Sequence, residues 1–277
     1  EPVAFVDALE AIFQTAAAAG VTVVSAAGDQ GSSGCTSRNP PYLDRQLAVS
    51  YPGSSPWVTS LGATSLQLEP DNTIADVRVW NDWPLQVEQA LPAIDCDTPP
   101  CRPLPVWAGA GGRSIVFDRP PWQTGAGVER DGPRQVPDVA LLGDIYPGTA
   151  IVFEGRWLAG NGTSQAAPLF AAMTLLLDES ALADGRSRIG FANPLLYALA
   201  RREPPVLIDV VDGDNVIGDA SARFAVDCCF AGPGYDLASG LGTPLVDRIA
   251  QVLASPVAIV PARRLPVTRG RTLPSAR

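Results

Sequence analysis

Gly160-Asn161-Gly162-Thr163-Ser164-Gln165-Ala166-Ala167-Pro168, with the apolar run 169–177 behind it, is the stretch on which the reading of this 277-residue chain turns. Small residues crowd around one hydroxyl. A proline suits a first helical turn, because its missing N–H would have had no partner there. The pattern predicts a helix that starts just after Ser164, with free N–H groups and a positive dipole end near its oxygen. A nucleophile gains from that position, since attack generates an anion beside it. A bare Gly-Thr-Ser is also an ordinary helix cap. The longer string, Gly-Thr-Ser-x-x-x-Pro before a small-residue helix, is more specific.

Working outward, Thr149-Ala150-Ile151-Val152-Phe153 turns through Glu154-Gly155 into Arg156-Trp157-Leu158, a hairpin leading straight to the serine. Asn161-Gly162-Thr163 is formally a glycosylation sequon, but a sugar there would cover the hydroxyl. Nearer the amino terminus, Phe5, Leu9, Ile12, Phe13 and Ala16 recur at helical spacing until Gly20. Residues 21–27 then form a continuous β-type run, as expected of a strand buried on both faces, and end in Gly28-Asp29-Gln30-Gly31. Helix, turn and buried strand make half of a parallel α/β unit. Chemistry gathers at the carboxyl ends of such strands, where Asp29 stands. Taken alone, Asp29 reads better as a turn residue bonding its own backbone. Further on, Asn193-Pro194 starts a helix to about Arg202, residues 206–211 read as a strand, and Thr243-Pro244 caps a last helix to about Leu253.

Composition narrows the chemistry. The net charge of −9 argues against a nucleic-acid surface. The sequence has no lysine and no histidine, so a Ser-His-Asp triad cannot be built from it. Gly125-Ala126-Gly127 lacks the third glycine of a dinucleotide fingerprint. Asp212-Gly213-Asp214-Asn215 does not open an EF-hand, because the twelfth position is Arg223. No apolar run reads as long enough to span a bilayer. Five cysteines without C-x-x-C pairs suit an oxidising compartment, hence an extracellular or cell-envelope location. Cys96 and Cys101 could close a local disulfide, and Cys35 is expected to pair with Cys228 or Cys229. The abrupt start at Glu1-Pro2 reads as a processed or excised piece, and the Pro- and Arg-rich segment 255–277 as a tail or linker that could precede a membrane anchor.

Ser164 in Gly-Thr-Ser-x-x-x-Pro, Asp29 in Gly-Asp-x-Gly and the absence of histidine together resemble the sedolisin family of serine-carboxyl peptidases, in the subtilisin-like superfamily. The likeness continues through Tyr51-Pro52-Gly53-Ser54-Ser55-Pro56-Trp57-Val58-Thr59, Trp80-Asn81, Pro120-Pro121-Trp122-Gln123 and Val136-Pro137-Asp138-Val139-Ala140. It implies an α/β, subtilisin-like three-layer fold with a mostly parallel central sheet flanked by helices, incomplete at the amino terminus, over residues 1–254. It also implies that Ser164 is the nucleophile, that Asp29 lies in the oxyanion hole, and that a glutamate replaces histidine as the base.

The family carries that base in a Glu-x-x-x-Asp helix. Upstream of Gly28 only Glu1, Asp7 and Glu10 occur on such terms, and none has a carboxylate four residues on. The pair is therefore expected in an amino-terminal part of the catalytic domain missing from this chain, as is the prosegment. Gly109-Ala110-Gly111-Gly112-Arg113-Ser114 is similar to the family's Ser-Gly-Gly-Gly-x-Ser strand, so Gly109, Gly111 and Gly112 are expected to border the substrate cleft, where glycine lets another backbone approach. The resemblance further implies one structural calcium ion, held by the Asp209 and Asp236 side chains and the carbonyls of Val210, Gly232 and Gly234. The function so implied is peptide-bond hydrolysis in acid, as an endopeptidase or a tripeptide-releasing exopeptidase, with the isolated chain inactive for want of its base. The alternative is a non-catalytic, calcium-stabilised binding domain that kept the fold.

Overall fold

Three parallel strands carry the elements singled out above. The computed structural model describes residues 3–34, 47–82, 94–95, 102–103, 107–216 and 228–255. In it β1 (Val23–Ala26) and β8 (Val139–Leu142) both run parallel to β2 (Val58–Leu68). Val23 lies opposite Val58, and Leu61 opposite Val139. Residues 58–65 of β2 are buried without alternation, as expected of a strand covered on both faces. The far half of β2 pairs antiparallel with β3 (Ile74–Val79).

Helix α1 (Val3–Ala18) precedes β1 and ends where expected. Gly20, at φ +75°, lets its own N–H reach Ala17 and the Val21 N–H reach Ala16, which satisfies carbonyls of the last turn. The hairpin of β9 (Thr149–Phe153) and β10 (Arg156–Gly160) turns on Glu154 and Gly155, both at positive φ. Helix α2 (Thr163–Ala183) then packs on β1, β2 and β8 through Ala166, Phe170, Thr174, Leu177 and Ala181. Helices α3 (Ala192–Leu199) and α4 (Val246–Ala254) add Leu196, Tyr197 and Ile249 to the same core. The short pairs are β6 (Gly112–Asp118) with β7 (Pro133–Val136), β11 (Leu207–Ile208) with β12 (Thr243–Pro244), and β4 (Ile94–Asp95) with β5 (Arg102–Pro103).

Several expectations need correction. Helix α2 starts at Thr163, so Ser164 lies within its first turn and Pro168 inside the helix. Pro168 has no N–H to give, and the Ser164 carbonyl four residues back is left without that helical bond. By length and composition α2 could cross a membrane, contrary to expectation, and one buried face of it packs on the sheet. Thr243-Pro244 is a strand, not a cap, because Ile208 and Leu207 capture it; α4 begins at Val246. The strand expected over residues 206–211 is confined to Leu207–Ile208. Cys228 and Cys229 are joined to each other, which leaves neither for Cys35; adjacency in the chain brings the two sulfurs together without any tertiary contact. Cys35, Cys96, Cys101 and residues 256–277 lie outside the described residues.

Candidate active site

Asp29 leaves the carboxyl end of β1 and meets the start of α2. Its Oδ1 accepts the Thr163 N–H at 2.7 Å and the Thr163 hydroxyl at 2.8 Å. The Gly28 N–H donates to Thr163 Oγ1 at 3.1 Å, so two consecutive residues of one loop grip the residue before Ser164. Asp29 is half-buried, Thr163 is buried and Ser164 is exposed. Gly162, the helix N-cap at φ 83° and ψ 167°, lies against the other oxygen of Asp29: a Cβ there would be 2.9 Å from Oδ2. That backbone region is nearly exclusive to glycine. The two residues predicted to share the chemistry thus stand at one end of the sheet, Asp29 in the loop after β1 and Ser164 in the first turn of α2.

The other wall of this end is one that the sequence reading missed. Where β8 ends, the Gly143 and Asp144 N–H groups both donate to the Thr64 carbonyl, and the Gly143 carbonyl accepts the Gly162 N–H at 2.6 Å. Asp144 is buried, with Oδ2 accepting from the Ser65 hydroxyl at 2.6 Å and Oδ1 from the Tyr146 N–H at 3.0 Å. Nearby Asp82 accepts from Trp80 Nε1 at 3.1 Å, and burial, then the charge of Asp144, push its carboxyl up to about 6. A signal for Asp144 was present: like Asp29, it follows a glycine at the carboxyl end of a parallel strand, although β1 is half-buried and not covered on both faces as expected, while β8 is mostly buried.

The glycine-rich stretch packs against residues 28–31. Ala108 donates to the Asp29 carbonyl and Ala110 to the Gly28 carbonyl, while Gly109 donates to the Trp80 carbonyl on the opposite side. Gly109, Gly111 and Gly112 are all buried. A side chain on Gly111 would run into the Leu237 carbonyl, and one on Gly109 would come within 3.1 Å of the Ala63 N. Glycine at 109 and 111 permits this internal close packing. The stretch still touches the site, because it holds residues 28–31 in place.

The expected cation ligands gather in one loop cluster. Asp209 Oδ2 accepts the Gly234 N–H at 2.8 Å, and Asp236 accepts from Gly232, Ala238 and Ser239 N–H groups. The Ser239 hydroxyl reaches the Val210 carbonyl at 3.4 Å. Burial raises the Asp236 carboxyl, partly offset by these donors. The donor set of carboxylate and carbonyl oxygens fits a hard cation, and Asp209 Oδ1 accepts no hydrogen bond among the described residues. No cluster of three acidic or cysteine side chains supplements it among the described residues.

The upstream acid Glu10 is held by two hydroxyls. Glu10, on α1, accepts from Tyr51 Oη at 3.2 Å and Ser55 Oγ at 3.1 Å. Burial raises its carboxyl, with Asp7 adding to the shift and the two hydroxyls opposing it.

Known proteins resemble this chain over most of its length. The family model of the Subtilase family matches residues 2–186. Kumamolisin from a Bacillus species is 33% identical over 256 residues, which is 90% of this chain and 39% of that protein. Human tripeptidyl-peptidase 1 is 29% identical, covering 91% of this chain and 41% of its own length. A solved structure described as Pseudomonas sedolisin, a serine-carboxyl proteinase complexed with two molecules of pseudo-iodotyrostatin, superposes with a TM-score of 0.70 at 28% identity. That match takes in 88% of this chain and 58% of the sedolisin chain. The chain thus spans about two fifths of the length of these curated relatives. It belongs to the Subtilase family, in its sedolisin branch, and has the subtilisin-like α/β fold.

Proposed function

We propose that this chain is the nucleophile-bearing portion of a serine-carboxyl peptidase that hydrolyses peptide bonds at acidic pH. The observation that carries this reading is the double grip of Thr163 on Asp29, which ties the oxyanion candidate to the residue beside Ser164. Ser164 Oγ attacks the substrate carbonyl carbon, and its proton passes to a carboxylate base. A carboxylate can accept it in acid, where histidine would already be charged. The carbonyl electrons move onto oxygen, and the Asp29 carboxyl, neutral in this state, donates a hydrogen bond to the oxyanion. Glu10 is engaged with Tyr51 and Ser55, so the Glu/Asp pair is assigned to polypeptide outside this sequence, and the chain alone is inactive.

Asp209, Asp236 and the carbonyls of Val210, Gly232 and Gly234 would hold one calcium ion, which pins the two loops and takes no part in bond making. An extracellular or cell-envelope setting accords with the joined Cys228 and Cys229. The test is hydrolysis of a peptide by the full-length protein, as wild type and as Ser164→Ala, across acidic to neutral pH. Activity confined to acid and abolished by the substitution is expected. Cleavage that peaks near neutrality, or survives Ser164→Ala, would refute the reading. A second reading, a non-catalytic calcium-stabilised binding domain, draws on the missing base; tight peptide binding without turnover by the full-length protein would favour it.

A further inference from the structure

The grip on Asp29 has a direction, and the direction assigns its proton. Thr163 is wholly buried, and its hydroxyl has two polar neighbours among the described residues. The Gly28 N–H can only donate, so it occupies a lone pair of Thr163 Oγ1 at 3.1 Å. The hydroxyl hydrogen is left with one acceptor, Asp29 Oδ1 at 2.8 Å. The Thr163 N–H, also an obligate donor, reaches the same oxygen at 2.7 Å. Oδ1 therefore accepts two hydrogens. A proton placed on it would strand the buried Thr163 hydroxyl hydrogen without an acceptor.

Oδ2 takes no hydrogen bond from any described residue. It faces Gly162, where a Cβ would stand 2.9 Å away, so a side chain at 162 would close on it.

On the peptidase reading above, we propose that Thr163 is a positioning residue that fixes the Asp29 proton on Oδ2. The hydrogen-bond donor for the oxyanion is then set before substrate arrives. During attack the Oγ–carbon bond forms, the carbonyl π pair moves to oxygen, and the Ser164 proton goes to the external base. Asp29 keeps its own proton and lends it as a hydrogen bond. Threonine in this place thus does for a carboxyl group what a buried orienting acid does for an imidazole: it selects one tautomer.

Neutron diffraction from deuterium-exchanged crystals of the full-length protein, grown in acid, tests the assignment directly. A deuteron on Oδ2, with the Thr163 deuteron directed at Oδ1, is expected. A deuteron on Oδ1, or a Thr163 hydroxyl turned away from Asp29, overturns it. In the full-length protein, Thr163→Ser keeps the hydroxyl and should stay within about threefold of wild type, whereas Thr163→Val should lower kcat about 100-fold with KM nearly unchanged. Undiminished kcat in a folded Thr163→Val also overturns the proposal. Should Ser164→Ala prove as active as wild type, the peptidase reading fails instead, and the deuteron position still decides the role of Thr163.

Discussion

The guanidinium of Arg134 spans both carboxylate oxygens of Asp138, at 2.8 Å and 2.5 Å, with neither side chain exposed to solvent. Asp138 also accepts from the Ser60 N–H, Tyr197 Oη and Asn193 Nδ2, and Arg134 lies 5.0 Å from the centre of the Trp122 ring. One buried pair thereby ties the start of β8 to β2 and α3. Because β8 leads directly to Gly143, which holds Gly162, the pair also underlies the position of the nucleophile loop.

Removing one charge from this pair strands the other in the core. Asp138→Asn should lower stability by about 3–5 kcal/mol, far more than an exposed ion pair would cost. Denaturant unfolding of the two proteins measures it, and the exposed pair of Arg113 and Glu129 serves as the comparison.

Acid should favour the folded chain. Asp82 titrates at about 6, raised by burial and then by Asp144, whereas an unfolded aspartate titrates near about 4. The folded state holds that proton longer, so its stabilisation is complete below about pH 4 and is lost as pH rises through about 6. Partial exposure limits the effect to about 1 kcal/mol. Glu10, raised mainly by burial, acts in the same direction. Melting temperatures across this range should fall with rising pH, and the fall should be shallower in Asp82→Asn.

Gly111→Ala separates packing from substrate binding. The added methyl meets the Leu237 carbonyl, so stability should drop by about 3 kcal/mol. A variant that melts like wild type yet binds peptide more weakly would restore Gly111 to the cleft.

Calcium should raise the melting temperature. A ligand at about 100 times its Kd adds about 2.7 kcal/mol to the folded state. The rise should disappear on chelation and in Asp236→Asn. Equal melting with and without the ion would remove calcium from the account.

The sequence exposes some of this architecture through local signals. Helix α1 and strand β1 announce themselves by periodicity, Gly20 and Gly28 punctuate them, and the acid after Gly28 marks the strand end. Ser164 and Asp29 are recognisable only as parts of longer strings, since either alone passes for a cap or a turn. What stays hidden depends on contacts distant in sequence. Nothing around Arg134 says that the turn at Pro137 will fold Asp138 back onto it, or that Tyr197 and Asn193 will complete the shell. The glycines at 109–112 state that backbones come close, but not that the neighbours are Ala63 and Leu237 instead of a substrate. Pro168 misleads because it stands in the second helical turn, where its missing N–H costs the Ser164 carbonyl a partner, and not in the first turn that proline suits.

The most direct test of the central claim uses a peptide aldehyde carrying a 13C label at the aldehyde carbon, added to the full-length protein at about pH 4, within reach of carboxylate base catalysis. Attack by Ser164 predicts a bound hemiacetal resonance that vanishes in Ser164→Ala and is strongly diminished in Asp29→Ala. A hemiacetal that persists in Ser164→Ala would place the nucleophile elsewhere and contradict the account.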